Sequence, residues 1–312
     1  MGGTEPSPAF LQRVRDGRIG GIVLFGDNFG ARGPGPLVAT LQRAARAGGR
    51  PPLLIAVDQE GGIVKRLPGA PTLAPAQMRT PGIARAEGLA TARLLSRLGI
   101  TVDLAPVLDV GHGGFIASRT FGVSPAVVAS HGVAFATGLA SGGVLATAKH
   151  FPGLGYATEN TDIRPTAVRA TLAQLSADWQ PFRLAAARRV PLVMMSTAVY
   201  PALGPRVPAA LSRPAIDDLR ALGFSGAVVT DALQTPAINA SRSTASAAVA
   251  AVAAGADLVL AAGPSPSIAD TDGASISAYN ALLAAAQSGR LPRTTLLAAY
   301  EHVLALKRPR SP

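Results

Sequence analysis

The chain of 312 residues is 48% hydrophobic, 15% charged and free of cysteine. This composition supports a large buried core, and the lack of cysteine excludes disulfides, thiolate metal sites and a cysteine nucleophile. The net charge of +11 comes mostly from scattered arginines that are not interleaved with aromatic residues, so it predicts a solvated basic surface rather than a nucleic-acid-binding face, with an anionic polymer as an alternative partner.

Short apolar runs alternate with longer helical patterns along the chain. The apolar runs are continuous, which is typical of parallel strands buried on both faces. They cover 20–25, 53–58, 102–110, 143–150, 191–197, 226–231 and 256–263. The helical patterns cover 36–48, 82–98, 125–140, 170–189, 213–222, 243–254, 275–289 and 293–307. With no linker or break in composition, this alternation predicts an α/β fold in a single domain that spans residues 1–312.

The apolar runs supply seven strands, and a helical pattern begins almost at Met1, ahead of the first run. A doubly wound sheet accommodates seven strands. An eight-stranded TIM barrel would have its first strand missing or non-standard. The strand count alone leaves both architectures open.

Polar residues are concentrated where the predicted strands end. Asp58, Asp109, the Lys149–His150 pair and Asp231 lie at or near the ends of four runs. The carboxyl ends of parallel strands form the ligand-binding edge of α/β folds, so we expect these side chains to meet. Acids, arginines and a Lys–His pair, in a sequence without a phosphate-binding loop or a serine nucleophile elbow, favour carbohydrate chemistry.

Each of these residues also has a structural interpretation. Asp231 could cap the next helix, and Asp58 could bond to the glycine turn that follows it. Asp109 could orient Arg119 or hold a loop, Arg119 could form a surface ion pair, and His150 could be a core histidine. Their coincidence at one edge favours the functional interpretation.

Eight motifs extend over nearly the whole chain: GGIVLFGDN (20–28), AVDQEGGIVKR (56–66), LAPVLDV (104–110), SRTFG (118–122), KHFPGLG (149–155), PAALS (208–212), LGFSGAVVTDAL (222–233) and AGADLVL (254–260). In order and spacing they resemble glycoside hydrolase family 3, in particular its single-domain bacterial β-N-acetylhexosaminidases. The resemblance implies a (β/α)8 TIM barrel whose second to eighth strands are the seven predicted here. The first strand would then lie upstream of Met1.

The resemblance also implies roles for single residues. Asp231 matches the family's catalytic nucleophile, which implies a retaining mechanism with a covalent glycosyl-enzyme. Five other residues match the lining of the terminal sugar pocket, with Lys149 and Arg119 also expected to keep the nucleophile ionised. These five are Asp58, Arg66, Arg119, Lys149 and His150. No metal or other cofactor is implied.

The chain departs from the family pattern at the expected acid/base. The branch usually has a histidine at the position of Leu154, and an Asp-Ser-His stretch where this chain has residues 160–162, Asn-Thr-Asp. The histidine of the usual Asp–His acid/base pair is therefore absent. Asp162 could replace it if burial raised its pKa, and Glu159 is the next candidate on the same loop.

Three further departures are Ile63 in place of an arginine, Thr197 where a histidine is common, and Ala232 in place of a second aspartate after the nucleophile. The sequence predicts an exo-hydrolase that removes terminal β-linked N-acetylglucosamine from peptidoglycan fragments or chitooligosaccharides. A family 3 enzyme with β-glucosidase or phosphorolytic activity, a catalytically impaired sugar-binding relative and an unrelated α/β protein are the alternatives.

No apolar run approaches the roughly 20 residues needed to cross a bilayer. The N-terminus, MGGTEPSPAFLQ, shows no signal peptide. We therefore expect a cytoplasmic monomer with a carbohydrate partner, no nucleic-acid partner and no membrane partner. Export would be compatible with a true start site upstream.

Overall fold

The computed structural model describes residues 3–204, 206–262 and 268–308. Its main feature is a six-stranded parallel sheet in the order β1-β2-β5-β6-β7-β8. The strands are β1 (Gly21–Val23), β2 (Leu54–Val57), β5 (Val102–Asp103), β6 (Leu145–Phe151), β7 (Leu192–Met195) and β8 (Ala227–Thr230). Directly after β2, strands β3 (Gln59–Gly61) and β4 (Val64–Lys65) form a separate antiparallel hairpin that the sequence analysis did not predict.

Helices alternate with the strands of the parallel sheet. They are α1 (Pro8–Arg15), α2 (Gly35–Ala47), α3 (Pro81–Arg97), α4 (Pro125–Ser141), α5 (Leu172–Asp178), α6 (Gln180–Ala187), α7 (Arg213–Ala221), α8 (Pro236–Asn239), α9 (Thr244–Ala254), α10 (Ile268–Gln287) and α11 (Arg293–Lys307). The helix predicted over 170–189 is divided at Trp179, because Pro181 cannot donate a backbone hydrogen bond to a continuing helix. None of the described helices is a candidate membrane span.

Alternate residues of each strand face two different cores. Leu54 of β2 and Leu192 of β7 pack in one inner cluster, whereas Ile55 and Val193 belong to the larger core against the helices. Burial on both faces explains the continuous apolar runs. The inner cluster runs along one face of the sheet from β2 to β8, and the sheet is curled around it.

Two predicted strands are shorter than expected. In the run 102–110, Pro106 has no N–H for a ladder, and beyond β5 the regular pairing with β6 is reduced to an isolated parallel bridge between Val107 and Lys149. The run 256–263 lies beside β8 through a parallel bridge between Val229 and Leu258. Its last residue, 263, lies outside the described residues.

The described residues form a curled, open sheet and not the closed eight-stranded barrel that the resemblance implies. Strand β1 pairs with β2 on one side, and the segment ahead of it forms α1. Local signals favour that helix, since the Ser7 hydroxyl accepts from the backbone of Phe10 and Pro8 occupies the first turn.

Helix α11 connects the two edges of the open sheet. Leu306 is 7% exposed and joins the inner cluster of Leu54 and Leu192. Lys307 Nζ donates to the carbonyl oxygen of Gly20, directly ahead of β1, at 2.8 Å. At the other edge, His302 Nδ1 lies 2.9 Å from Asp257 Oδ1, in the run beside β8. A helix thus spans a gap that no described strand bridges.

We expect Leu306→Ala to lower the free energy of unfolding by about 2–4 kcal/mol, because it leaves a cavity in the inner cluster. Urea unfolding measures this change. Leu297→Ala is the control, since Leu297 lies on the same helix but is 45% exposed, and its effect should stay within about 0.5 kcal/mol. Equal, small effects of both substitutions would contradict a role of α11 in holding the sheet.

Candidate active site

Several polar side chains converge at the carboxyl-terminal edge of the curled sheet. Asp58 directly follows β2, Lys149 lies in β6, and Asp231 directly follows β8. Side chains two positions apart on a strand share a face, and Ala56 and Val229, each two residues earlier, belong to the inner cluster. Strand alternation therefore directs Asp58 and Asp231 to the same interior.

The β3–β4 hairpin adds Glu60, which the sequence analysis missed as a site residue. Lys149 Nζ lies 2.7 Å from Asp58 Oδ1 and 2.7 Å from Glu60 Oε1. Arg119 donates to Glu60 through Nε at 2.9 Å and Nη2 at 2.7 Å. The sequence holds one signal for this role, because Glu60 stands two positions after Asp58 and an extended backbone directs both to one side.

Pairing of charges controls the protonation of this buried network. Burial alone would raise the pKa of Glu60, but the charges of Lys149 and Arg119 outweigh it and lower the pKa to about 2. Burial alone would lower the pKa of Lys149, and the carboxylates of Asp58 and Glu60 raise it instead. Glu60 and Lys149 are therefore both charged at neutral pH.

Arg66 lies at the outer end of this network. Its Nη2 is 3.9 Å from Asp58 Oδ2, and its side chain is 38% exposed. The guanidinium carbon also lies 5.7 Å from the ring centroid of Phe25. Asp58 is thus held by the cations of Lys149 and Arg66, and among the described residues its carboxylate does not bond to the glycine turn that follows it.

Asp109 and His150 form a second buried pair. His150 Nδ1 lies 2.7 Å from Asp109 Oδ2, and the backbone N–H of Leu154 donates to Asp109 Oδ1 at 2.7 Å. Asp109 therefore holds the loop after β6, as one of its two structural interpretations predicted. The other interpretation, that Asp109 orients Arg119, is wrong, because Arg119 is oriented by Glu60. Because the carboxylate accepts from Nδ1, the other ring nitrogen of His150, Nε2, is not engaged by Asp109.

Asp231 is half-buried at the end of β8. Its backbone N–H donates to the carbonyl of Met195 at 2.9 Å, which ties it to β7. Its Oδ1 accepts from the backbone N–H of Ala232 at 2.7 Å. The next helix, α8, has Thr235 as its N-cap residue, so Asp231 does not cap it.

Asp162 lies on the loop after β6, and its backbone N–H donates to Asn160 Oδ1 at 2.9 Å. The residue keeps exposed surface, yet partial burial of the carboxyl raises its pKa, and the charge of Asp231 adds to this rise against opposing effects of His150 and Arg119. Glu159 is exposed and pairs at 3.8 Å with Arg164. Of the two candidate acids, Asp162 is therefore the one whose pKa is raised by the charge of Asp231.

Further residues that the sequence analysis did not predict support the site from behind these side chains. The Tyr200 hydroxyl donates to the carbonyl of Gly153, and Trp179 Nε1 donates to that of Pro152, both at 3.0 Å. Asp103 Oδ1 accepts from the backbone of Gln59 at 3.0 Å, and burial raises the Asp103 pKa well above its ordinary range. These contacts hold the loop after β6 and the start of the hairpin.

The positions that depart from the family pattern lie in different surroundings. Leu154 is buried, and Thr197 is buried with no partner for its hydroxyl among the described residues. Ile63 is 73% exposed at the turn of the β3–β4 hairpin. Across 3–204, 206–262 and 268–308, no three His, Asp or Glu side chains form a group that could hold a metal ion.

The arrangement is suited to a neutral, hydroxylated ligand. Asp58, Arg66, Lys149 and Arg119 combine donors and acceptors in one network, and their mutual pairing fixes their positions before a ligand binds. Beside them stand two carboxyl groups, Asp231 and Asp162, one of which has a raised pKa. Such a set can bind sugar hydroxyls and act on a bond held between two carboxyl groups.

Comparison with known sequences places the chain in a family. The family described as glycosyl hydrolase family 3 N terminal domain matches residues 5–306. A protein of Arthroderma benhamiae described as an uncharacterized secreted glycosyl hydrolase is 35% identical over 320 residues, which covers 98% of this chain and 89% of that protein. A beta-hexosaminidase of Alkalilimnicola ehrlichii is 39% identical over 259 residues and covers 78% and 73%, respectively.

Solved structures give a consistent result. A glycoside hydrolase family 3 beta-N-acetylglucosaminidase from Paenibacillus sp. is 33% identical with a TM-score of 0.89, covering 98% of this chain but 60% of that one. A beta-N-acetylhexosaminidase from Beutenbergia cavernae is also 33% identical, with a TM-score of 0.85 and coverage of 98% and 94%. The chain thus spans 60% of the Paenibacillus protein and nearly all of the Beutenbergia protein. On the extent of the family match and the identity of these relatives, the chain belongs to glycoside hydrolase family 3, in the branch of the β-N-acetylhexosaminidases, and is a glycoside hydrolase.

Proposed function

We propose that the chain is a retaining exo-β-N-acetylhexosaminidase that removes terminal β-linked N-acetylglucosamine from peptidoglycan fragments or chitooligosaccharides. The observation that carries this proposal is the placement of Asp231 at the end of β8, near enough to Asp162 for its charge to help raise the pKa of Asp162. A carboxyl group whose surroundings favour its protonated form, close to a second carboxyl group, suits the acid/base role beside a nucleophile in a retaining glycosidase.

In the first step, Asp231 attacks the anomeric carbon while the bond to the leaving oxygen breaks. Ala232 N–H holds Oδ1 of Asp231, which leaves Oδ2 for the attack. Asp162, in its protonated form, which its surroundings favour, gives its proton to the leaving oxygen. In the second step, Asp162 takes a proton from water, the hydroxide oxygen bonds to the anomeric carbon, and Asp231 departs as a carboxylate. Two inversions restore the β configuration.

The terminal sugar is proposed to bind against the charged network. Asp58 accepts from sugar hydroxyls, while Arg66, Arg119 and Lys149 donate to them. His150 adds the ring nitrogen that Asp109 does not engage. The preference for an N-acetylamino sugar is supported by two of the relatives, a beta-hexosaminidase and a beta-N-acetylglucosaminidase. No step requires a metal.

The decisive experiment traps the proposed intermediate. We expect the wild type to hydrolyse aryl β-N-acetylglucosaminides faster than aryl β-glucosides. With a 5-fluoro N-acetylglucosaminyl fluoride, the intact mass should rise by one fluorosugar residue, and peptide mapping should place that mass on Asp231. Asp231→Ala is the matched control and should show no increase. An active wild type that forms no adduct and releases the α anomer, detected by NMR, would contradict the retaining mechanism.

A catalytically impaired sugar-binding protein is the second candidate. One observation favours it, namely that the loop carrying Asp162 lacks the usual histidine and exposes Asp162 to solvent. A folded wild type that binds N-acetylglucosamine by calorimetry but turns over neither aryl glycoside would support this candidate. Preference for the β-glucoside, or release of a sugar 1-phosphate in phosphate buffer, would instead identify the β-glucosidase or phosphorolytic alternative.

A further inference from the structure

A second imidazole–carboxylate pair lies beside the candidate site and takes no part in the proposed chemistry. His112, in the loop after β5, has Nε2 2.8 Å from Oδ2 and 3.1 Å from Oδ1 of Asp178, the last residue of α5. The His112 side chain is 24% exposed and that of Asp178 is 5% exposed. The carboxylate therefore fixes an imidazole that is still partly open to solvent.

The His112 ring holds Tyr156, on the loop after β6. The two rings are stacked, with centroids 3.9 Å apart and planes 15° apart. The backbones touch on both sides of this stack, because a side chain at Gly155 would overlap the carbonyl of Val110 and one at Gly114 would overlap that of Ala157. The loops after β5 and β6 are therefore fastened together at Tyr156.

Beyond Tyr156 the loop continues to Asp162 with mainly local support. The backbone N–H groups of Asp162 and Ile163 both donate to Asn160, at 2.9 Å and 3.0 Å. On the far side, the N–H of Val199 donates to the carbonyl of Thr166 at 2.9 Å. The segment that carries Asp162 is thus anchored at Tyr156 on one side and at Thr166 on the other.

We propose that His112, fixed by Asp178, is a positioning residue that acts through Tyr156 to hold Asp162 against Asp231. This inference rests on the proposed acid/base role of Asp162. In the part of the chain that the structure describes, the imidazole bonds to Asp178 and stacks on Tyr156 rather than on Asp162 or the sugar pocket, so its effect is on the placement of the proton donor. A small displacement of a catalytic group costs far more in rate than in binding.

The test uses two aryl β-N-acetylglucosaminides, one with a good leaving group (2,4-dinitrophenol) and one with a poor leaving group (4-methoxyphenol). His112→Ala and Tyr156→Ala should lower kcat/KM on the poor substrate by about 10- to 100-fold, since that substrate needs a placed acid. On the good substrate the loss should stay below about threefold, because little proton transfer is needed. Tyr156→Phe keeps the stack and should behave as wild type.

A double variant separates positioning from general damage to the fold. In an Asp162→Ala background, His112→Ala should cause no further loss, because both act on the same proton transfer. His302→Ala is the matched control, since it removes a His–Asp pair of 2.9 Å at α11, and it should show no dependence on the leaving group. Equal losses on both substrates, or additive losses in the double variant, would overturn the inference.

The two proposals fail in different ways. If Asp162→Ala itself shows no dependence on the leaving group, the acid role of Asp162 is wrong. If Asp162→Ala shows that dependence and neither His112→Ala nor Tyr156→Ala does, only the positioning role is wrong. Tyr156→Ala breaks the link without removing the His112–Asp178 hydrogen bond, so it answers the question even where His112→Ala fails to fold.

Discussion

Asp231→Ala is expected to lose at least about 10⁴-fold in kcat/KM on aryl β-N-acetylglucosaminides, with little change in thermal stability. Alanine cannot bond to the anomeric carbon, so the two-step route is closed. The fold should tolerate the change, because the bond that ties this residue to β7 runs from its backbone N–H to Met195. Initial rates and a thermal melt measure the two quantities.

The identity of the lost group can be checked by chemical rescue. Azide supplied to Asp231→Ala should attack the substrate directly and give the α-glycosyl azide, in which the configuration is inverted. Asp217→Ala is the matched control, because Asp217 is an aspartate on α7 with a 61% exposed side chain, and it should keep wild-type activity. Residual turnover above about one per cent of wild type in Asp231→Ala would indicate that another group is the nucleophile.

The strands and the polar residues at their ends were predictable from local sequence. The run 143–150 predicted a buried strand ending in Lys149 and His150, and the structure has β6 there, with every residue from Leu145 to Phe151 buried. Such a run is visible because a strand covered on both faces is mostly apolar until it reaches the ligand edge, with Thr147 as the exception in β6. This explains why the edge could be located without structural information.

The pairing of these residues was not predictable, because it joins positions far apart in the chain. Arg119 was expected to contact Asp109 or to lie on the surface, and it is instead bonded to Glu60, 59 positions away. Glu60 itself entered the site through the β3–β4 hairpin, whose two glycines resemble an ordinary turn. Local patterns report which face a residue occupies, and only tertiary contacts decide which partner it meets.

The same limit applies to the open sheet. The sequence predicted α11 over 293–307, and the structure confirms that range, but nothing in the helical pattern indicated that Leu306 would enter the inner cluster. The helix exposes Leu297 and Tyr300 and buries Leu306. The position of α11 follows from the gap between the two edges of the open sheet. That gap is a property of the whole fold and not of the sequence of residues 293–307.

The loss of the usual histidine makes the protonation state of Asp162 the central question of the mechanism. A carboxyl group donates a proton only from its protonated form, which becomes the minor form above its pKa, and an ordinary aspartate is ionised near neutral pH. Burial and the charge of Asp231 both raise the pKa of Asp162, which extends its protonated form toward neutral pH. An aspartate is a weaker base than the histidine that it replaces. The surroundings of Asp162 compensate for this by disfavouring its ionised form.

Asp162→Ala is therefore expected to lower kcat/KM by about 10²- to 10⁴-fold on a 4-methoxyphenyl glycoside and to change it little on a 2,4-dinitrophenyl glycoside. In the wild type, kcat/KM on the poor substrate should fall as pH rises through the raised pKa of Asp162, because the deprotonated acid cannot donate. That fall in kcat/KM at basic pH, the basic limb of the profile, should vanish in the variant.

Azide should reactivate the Asp162→Ala variant and give the β-glycosyl azide, since it attacks the glycosyl-enzyme on Asp231. Glu159→Ala is the control, because Glu159 pairs with Arg164 at the surface, and it should keep the wild-type profile. A basic limb that persists in Asp162→Ala but is lost in Glu159→Ala would transfer the acid role to Glu159.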